Sequence, residues 1–211
     1  MTAQIIYNDI PVLLAMLYGI LVIVGYIPAL VSLVKDKNLN GVSSSFWYLI
    51  SVTVGISFYN IILTGGTRFQ VVSIFLNFLL GVICLLVLNY RKFKFHGIIY
   101  TIIFLLALYL FLGLLTSIEI TQTVASVSIV LAYVGQIYKF VKSKSSSGTN
   151  KWLYLLIGVG LLSLVTSMVL TDVSNHIIIT ELINFILILI CYFMSNYYYK
   201  SEVDISERRS K

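Results

Sequence analysis

Long, uncharged and strongly apolar stretches recur along the whole chain, and the short segments between them carry the charges. A helix needs about 20 residues to cross a bilayer core about 30 Å thick. The stretches are apolar throughout, whereas the strands of a membrane barrel alternate in polarity, so helices are the expected spanning elements. The pattern predicts seven membrane-spanning helices, over residues 10–34, 38–67, 69–90, 97–118, 120–138, 152–171 and 182–199.

The composition supports a membrane protein and argues against an enzyme. Of the 211 residues, 59% are hydrophobic and 10% are charged, whereas about a quarter of the residues in a soluble domain are charged. Cys84 and Cys191 fall inside predicted spans, where a free thiol usually serves as a small apolar side chain. The sequence has no nucleophile with a base and an orienting group, no metal-ligand spacing and no phosphate-binding glycine loop. We therefore expect no catalysis, no metal and no other cofactor.

The basic residues are distributed very unevenly between the two sides of the predicted membrane. Thirteen of the fourteen Lys and Arg residues follow spans 1, 3, 5 and 7, and only Arg68 lies on the other side. The positive-inside rule then predicts a multi-pass protein of the cell membrane with an external N-terminus and a cytoplasmic C-terminus. The net charge of +6 belongs to that cytoplasmic face, where attraction to anionic lipid accounts for it without nucleic acid.

The chain repeats itself after 107 residues, and we call residues 107 positions apart mates. A shift of this length, without gaps, aligns spans 1 to 3 with spans 5 to 7. The identical mates include polar residues that hydrophobic bias does not explain. The identical mates include these pairs: Tyr26 with Tyr133, Lys35 with Lys142, Lys37 with Lys144, Gly41 with Gly148, Asn77 with Asn184, Cys84 with Cys191 and Asn89 with Asn196.

The repeat sets the expected architecture. Each unit has three spans, so the chain leaves a unit on the side of the membrane opposite to the one where it entered. Two units in direct succession would therefore have opposite orientations in the membrane. The unpaired span 4 returns the chain to the first side, so that the two units have the same orientation. We expect an all-α membrane protein of 3+1+3 helices, with a first bundle over 8–92, a linker helix over 95–118, a second bundle over 119–199 and a disordered cytoplasmic tail over 200–211. Parallel repeats of this kind are a standard transporter plan, with the substrate site between the halves near mid-membrane.

Two matching segments resemble the PQ-loop repeat of the SWEET and PQ-loop transporter superfamily. They run from Gly25 to Trp47 and from Val134 to Trp152, and in each a helix end, a short basic loop and a run of Gly and Ser lead into the next helix. Each segment keeps one member of the Pro-Gln pair, Pro28 in the first and Gln136 in the second. The resemblance implies a carrier that moves a small polar solute, a sugar by default, by alternating access between the two bundles.

Hinge residues follow from the same resemblance. A proline inside a helix removes one backbone hydrogen bond and kinks the helix, and in this superfamily such kinks are thought to let the bundles rock. Pro28 is the expected hinge, with Gly135 and Gln136 as its counterparts in the second unit, while Pro11 is expected to begin a helix. The alternative is that Pro28 is a tolerated membrane proline without a role in movement.

The tryptophans mark a departure from the sugar carriers of this superfamily. Those carriers have tryptophans about midway along their second helices, whereas Trp47 and Trp152 fall at the ends of spans. An interfacial aromatic belt is expected at that depth. Neither tryptophan is therefore expected to form an aromatic platform for a sugar.

Asn77 and Asn184 are mates near the middle of spans 3 and 7, at places that match the asparagine pair facing substrate in sugar-carrying relatives. An uncompensated amide in hydrocarbon is costly, so such asparagines face a bundle interior or a water-filled cavity. Ser73 and Thr180 lie one turn earlier on the same helix faces. We predict that these four residues contact a hydroxylated solute. The alternative is that their polar groups only hold helices together.

Tyr59 and Asn60 form a second polar region in span 2, and we predict that both contribute to the same site. Their mates, Thr166 and Ser167, are smaller. The cavity between the halves is therefore expected to be asymmetric.

Glu181 is an acidic residue near the start of span 7, and its mate in span 3 is Ile74. It precedes Asn184 by three residues, which places both on one helix face. A carboxyl group partly withdrawn from water can take up and release a proton during transport. Glu181 therefore supports the alternative of a proton-coupled carrier of an amino acid or another small metabolite, with H⁺ as a second partner.

Two interpretations without transport stay open. The same fold serves membrane receptors, and a homo-oligomeric partner protein would use these polar residues only to join helices. A water-accessible cavity between the halves would distinguish a carrier from both.

Overall fold

The computed structural model describes residues 2–65, 67–114, 117–171 and 175–210. All regular structure in these residues is helical. The helices are α1 (Thr2–Lys35), α2 (Ser44–Thr64), α3 (Arg68–Phe93), α4 (Phe95–Leu114), α5 (Ile118–Ser143), α6 (Lys151–Leu170) and α7 (Asn175–Ser210). Each of the seven contains a segment long and apolar enough to cross a membrane, which confirms the prediction of a multi-pass helical membrane protein.

Capping chemistry, rather than hydropathy, sets the ends of several helices. The hydropathy pattern places the start of α2 at residue 38, but the helix begins at Ser44, because Ser43 is extended and its Oγ accepts a hydrogen bond from the Phe46 amide at 3.3 Å. The end of α2 is capped by Gly65, whose φ of 76° is left-handed and suits glycine.

Two further expectations about helix ends are wrong. Pro11 lies inside α1 and does not begin it, since the helix already starts at Thr2; a proline removes only one backbone hydrogen bond, and the remaining bonds can carry the helix past it. α7 continues to Ser210, so the tail expected to be disordered is helical over its described residues. No glycine or proline follows Asn175 to interrupt this last helix.

Six of the helices form a closed ring. α3 packs against α1 and α2, and α7 packs against α5 and α6. The ring closes through contacts of α1 with α6 and of α2 with α5. α3 and α7 therefore stand opposite each other, while α4 lies outside the ring against α3, with a smaller contact to α2.

A buried polar network fixes α4 to the outside of the ring. Asn89 of α3 is fully buried, and its Nδ2 donates to the Tyr48 hydroxyl of α2 at 2.7 Å and to Thr101 Oγ1 of α4 at 3.0 Å. Thr101 donates in turn to the carbonyl oxygen of Gly97 at 2.9 Å. The network connects three helices through polar groups that would be costly to bury alone.

Aromatic side chains fill the ring near the end at which α1, α3 and α5 finish, which we call the basic end because most of the Lys and Arg residues lie there. Trp47 is 3% exposed, and its ring centroid lies 5.2 Å from that of Phe46 and 6.0 Å from that of Tyr26. The expectation that Trp47 belongs to an interfacial belt is wrong, because α2 turns this residue inward. Trp152 is 51% exposed, as a belt residue would be.

Candidate functional site

One face of α3 points into the ring. Ser73, Asn77 and Gly81 follow one another at intervals of four residues and share a helix face. A methyl group added to Gly81 would lie 3.7 Å from the Tyr26 hydroxyl of α1 and 3.8 Å from the Ser51 hydroxyl of α2. Since this face meets α1 and α2 together, it carries Asn77 toward the space that the three helices enclose.

The corresponding face of α7 carries Asn184, Ile188 and Cys191. A methyl group added to Gly158 of α6 would lie 3.4 Å from Ile188 Cγ2, and Cys191 Sγ lies 4.0 Å from the carbonyl oxygen of Tyr133 in α5. Asn184 is 1% exposed. It therefore faces the interior from the helix opposite the one that carries its mate.

Three buried polar oxygens in this region make no hydrogen bond with the described residues: Asn77 Oδ1, Asn184 Oδ1 and Ser51 Oγ. A buried acceptor without a partner costs about 1–3 kcal/mol, and most buried polar groups in proteins are paired. The donor of the Asn184 amide is in use, since Nδ2 lies 3.1 Å from Glu181 Oε2. The site therefore offers acceptors to the hydroxyl or amino hydrogens of a ligand.

Glu181 extends the polar group around Asn184 on α7. Tyr18 lies where α1 meets α6, since a methyl group added to Gly160 of α6 would lie 3.3 Å from the Tyr18 ring. Sequence reasoning missed Tyr18, because its mate is Ala125 and the repeat gives no signal there. A tyrosine in the middle of an apolar helix is the one indication that the sequence offers.

Ser73 and Thr180 occupy different surroundings although they are mates. Ser73 is buried against Gly19 of α1, so closely that a Cβ at Gly19 would overlap its hydroxyl. Thr180 is half-buried on α7, one turn before Asn184. Ser73 therefore belongs to the contact between α1 and α3 as well as to the polar face of α3.

Asn60 and Tyr59 are neighbours in α2 but point in different directions. Asn60 is buried, and its Oδ1 accepts a hydrogen bond from Thr121 Oγ1 of α5 at 2.8 Å. Tyr59 lines an apolar groove between α2 and α4, together with Gly55 and Leu108. The structure therefore brings Asn60 to the contact between the two sequence units and places Tyr59 outside the ring.

Hydrogen bonds join the two sequence units at the end of the ring opposite the basic end. From α6, Ser163 Oγ donates to the carbonyl oxygen of Leu14 at 2.8 Å, and Ser167 Oγ donates to that of Pro11 at 2.7 Å. On the other side of the ring, the Asn60 bond joins α2 to α5. Asn60 and Ser167 are mates, so each unit uses the same position to bond to the other.

At the basic end, Gln136 of α5 holds the loop that leads into α2. Its side chain is fully buried; Nε2 donates to the Gly41 carbonyl at 2.7 Å and Oε1 accepts from the Ser43 amide at 3.0 Å. The Gly41 amide donates to the Ser147 carbonyl at 3.0 Å, and a Cβ at Gly41 would lie 2.6 Å from the Ser145 carbonyl oxygen. The loops 36–43 and 144–150 are in contact here, and we call these two loops together with Gln136 the loop clamp.

Gly148 completes the loop clamp from the second loop. Its amide donates to Asp36 Oδ2 at 2.7 Å. Its φ is 85°, and a Cβ would lie 2.7 Å from both Leu39 Cδ2 and Val42 Cγ2. Glycine is required here both by the left-handed backbone and by the close approach of the first loop.

The predicted hinges, Pro28 and Gly135, lie just before the two loops. α1 continues through Pro28 to Lys35 as one helix. A methyl group added to Gly135 would lie 3.0 Å from Ser45 Oγ. Gly135 therefore stands next to the loop clamp, and the role of both residues in movement stays a prediction.

Within the described residues, no group of three or more His, Cys, Asp or Glu side chains is placed to hold a metal ion. Comparison of the chain with protein-family models, with curated proteins and with solved structures gives no match. The ring interior combines amide, hydroxyl and carboxyl groups. Such groups bind an uncharged or amino-bearing polar solute by hydrogen bonds.

Proposed function

We propose that this protein is a membrane transporter that moves a small polar solute by alternating access between its two three-helix units. The observation that carries the proposal is the pair Asn77 and Asn184, mates on opposite helices of the ring, each with a buried carbonyl oxygen that has no partner among the described residues. More particularly, we assign the chain to the SWEET and PQ-loop superfamily, with a sugar as the default solute and the basic end in the cytoplasm.

The helix contacts support a tandem repeat. α1 packs against α3 of its own unit and α6 of the other, and α5 packs against α7 and α2 in the same way. Contacts between individual mates agree. Thr53 Oγ1 donates to the Ala125 carbonyl at 3.2 Å, and at the mate positions the Cβ site of Gly160 lies 3.4 Å from the Tyr18 carbonyl oxygen. An axis between the units that relates α3 to α7 accounts for both.

The contacts at the two ends of the ring suit alternating access. The loop clamp joins the units at the basic end, and the bonds of Ser163, Ser167 and Asn60 join them at the other. A single neutral hydrogen bond contributes about 0.5–1.5 kcal/mol. In the proposed cycle, either set opens while the other set stays closed and the units stay folded.

A proton-coupled carrier of amino acids or other small metabolites is the second candidate, and one contact favours it. Glu181 Oε2 accepts the hydrogen bond from Asn184 Nδ2 at 3.1 Å, so protonation of Glu181 would change the donors and acceptors at the solute site directly. We expect Glu181→Gln to keep exchange of solute across liposomes and to lose its acceleration by a pH gradient. Equal acceleration in the variant and the parent protein would exclude this coupling.

The transport test uses purified full-length protein in liposomes. A thermal-shift screen of sugars, amino acids and vitamins selects the labelled solute, because a ligand that binds the folded form raises its apparent stability. We expect Asn77→Ala and Asn184→Ala each to lower uptake at least about tenfold, the effect of about 1.4 kcal/mol of lost binding.

Leu76→Ala is the matched control, since Leu76 precedes Asn77 and is exposed on the outer surface of α3. We expect it to keep parental uptake. Full uptake by the double variant of Asn77 and Asn184 would remove these residues from the solute site.

A further inference from the structure

A polar cavity of about 440 Å³ opens at the basic end, away from the solute site. It lies where the end of α1, the start of α6 and the last membrane turns of α7 come together. Ser32, Ser147, Thr149, Lys37 and Lys151 are among the residues that line it.

The charges of the cavity favour an anion. Two lysines line it against one carboxylate, Asp36, and that carboxylate already accepts the Gly148 amide at 2.7 Å. Lys151 Nζ lies 3.1 Å from Asn196 Oδ1 and 5.9 Å from the ring centroid of Tyr199, so neutral groups hold it in place. Lys151 is also the first residue of α6, where the helix dipole adds positive potential.

The surroundings of the cavity match the level of lipid headgroups. Trp152 and Tyr199 both line it and are both exposed, and such amphipathic rings are enriched where hydrocarbon meets headgroups. Beyond Trp152 the same outward face of α6 continues with Val159 and Leu162, which are 47% and 44% exposed. A headgroup in the cavity would therefore have an apolar surface beneath it for an acyl chain.

We propose that this cavity binds the phosphate of an anionic phospholipid headgroup, with Lys37 and Lys151 as its charge partners. A free phosphate would meet the same two lysines, but it would make no use of the apolar face of α6. The site is independent of the solute site and of the transport proposal.

The test measures binding of a dansyl-labelled phosphatidylglycerol to the full-length protein in zwitterionic micelles at high salt, where diffuse attraction is screened. Energy transfer from tryptophan reports binding, since Trp152 lines the cavity. We expect Lys37→Gln with Lys151→Gln to weaken binding at least about 30-fold, since each direct hydrogen bond from a charged group to the phosphate contributes at least about fivefold. Lys37→Gln alone changes only an exposed side chain and should give at least about a fivefold loss.

Lys142→Gln with Lys144→Gln is the matched control, because it removes the same charge and Lys144 is the mate of Lys37. We expect it to keep parental affinity. An equal loss in both double variants, or no loss in either, would overturn the proposal. Unlabelled short-chain phosphatidylglycerol should displace the probe, and displacement by inorganic phosphate at the same concentration would show a site for a soluble anion instead.

Discussion

The two sequence units solve the same packing problem in opposite ways beside their asparagines. In the first unit, α3 presents Gly81 and α2 presents Ser51, and the Tyr26 hydroxyl reaches into the space between them. In the second unit the mates are Ile188 on α7 and Gly158 on α6, and they pack directly. The larger residue of each pair is on α2 in the first unit, where it is Ser51, and on α7 in the second unit, where it is Ile188. Both units keep the helices close together, but at this contact the first has the hydroxyl groups of Ser51 and Tyr26, whereas the second has the side chains of Ile188 and Phe185.

The difference gives the two sequence units unlike sets of polar groups. The second unit has a carboxyl group, Glu181, where the first has Ile74, and it bonds that group to its asparagine. The first unit has no such carboxyl group, and its Asn77 amide oxygen and Ser51 hydroxyl have no hydrogen-bond partner among the described residues. A solute between the units would therefore meet an acidic side and a neutral polar side.

The largest expected effect is a loss of stability on opening the packed contact of the second unit. Ile188→Ala removes buried methyl groups that fill the space beside Gly158, and such deletions cost about 2–5 kcal/mol of the free energy of unfolding. Gly81→Ala is the control at the mate position. Its new methyl group would meet only ordinary contacts of 3.7–3.9 Å, and alanine favours a helix over glycine by about 0.5–1 kcal/mol. Unfolding in mixed micelles measures both variants.

A similar loss of stability in both variants would mean that the two contacts contribute equally to the free energy of unfolding. A gain in stability for Gly81→Ala together with a large loss for Ile188→Ala would confirm that the two units differ at this contact.

The apolar stretches predicted the number of helices because bilayer thickness fixes the length of a span. They could not predict which way each helix is rotated, since in an apolar helix every face looks alike. Trp47 shows the consequence: hydropathy places it at a span end, whereas packing against Phe46 and Tyr26 buries it. The rotation of α3 and α7 is better predicted, because Asn77 and Asn184 are costly to expose to lipid.

The loop clamp gives the second prediction, since the two units hold each other's loops by different means. Gln136 holds the loop of the first unit through two buried bonds, and its mate, Ala29, makes none with its side chain. Gln136→Ala leaves the Gly41 carbonyl and the Ser43 amide without these bonds, at a cost of about 1–3 kcal/mol for each buried group.

Asp36→Asn tests the loop of the second unit. An amide oxygen can still accept from the Gly148 amide, and the site is half-exposed, so we expect a loss below about 1 kcal/mol. Thiol labelling of Ser51→Cys from the basic end adds a readout of opening. The Gln136→Ala background should speed labelling, and unchanged labelling together with unchanged stability would contradict a clamp.

The sequence predicted that Gln136 belongs to a PQ-loop motif, but it could not show what the side chain binds. Its partners, Gly41 and Ser43, are 95 and 93 residues away along the chain, and no local pattern connects positions so far apart. For the same reason Tyr18 and Ser51 were missing from the predicted site. The repeat in the sequence paired Asn77 with Asn184, and the structure puts their helices opposite each other in the ring; their role at a solute site stays a prediction.

Small effects are also expected at the mates Ser167 and Asn60, which join the units at the end opposite the loop clamp. Ser167→Ala loses one bond to the Pro11 carbonyl and should cost about 1 kcal/mol of unfolding free energy. Asn60→Ala should cost less, because the Thr121 hydroxyl keeps its second acceptor, the Ile118 carbonyl, at 2.8 Å. If these bonds close one side of a transport path, both variants should shift the units toward opening at that end. Labelling of Ser51→Cys from that end should then be faster, whereas labelling from the basic end should be slower. If labelling became faster from both ends, the variants would merely loosen the fold. Ser167 and Asn60 would then have no role in closing a transport path.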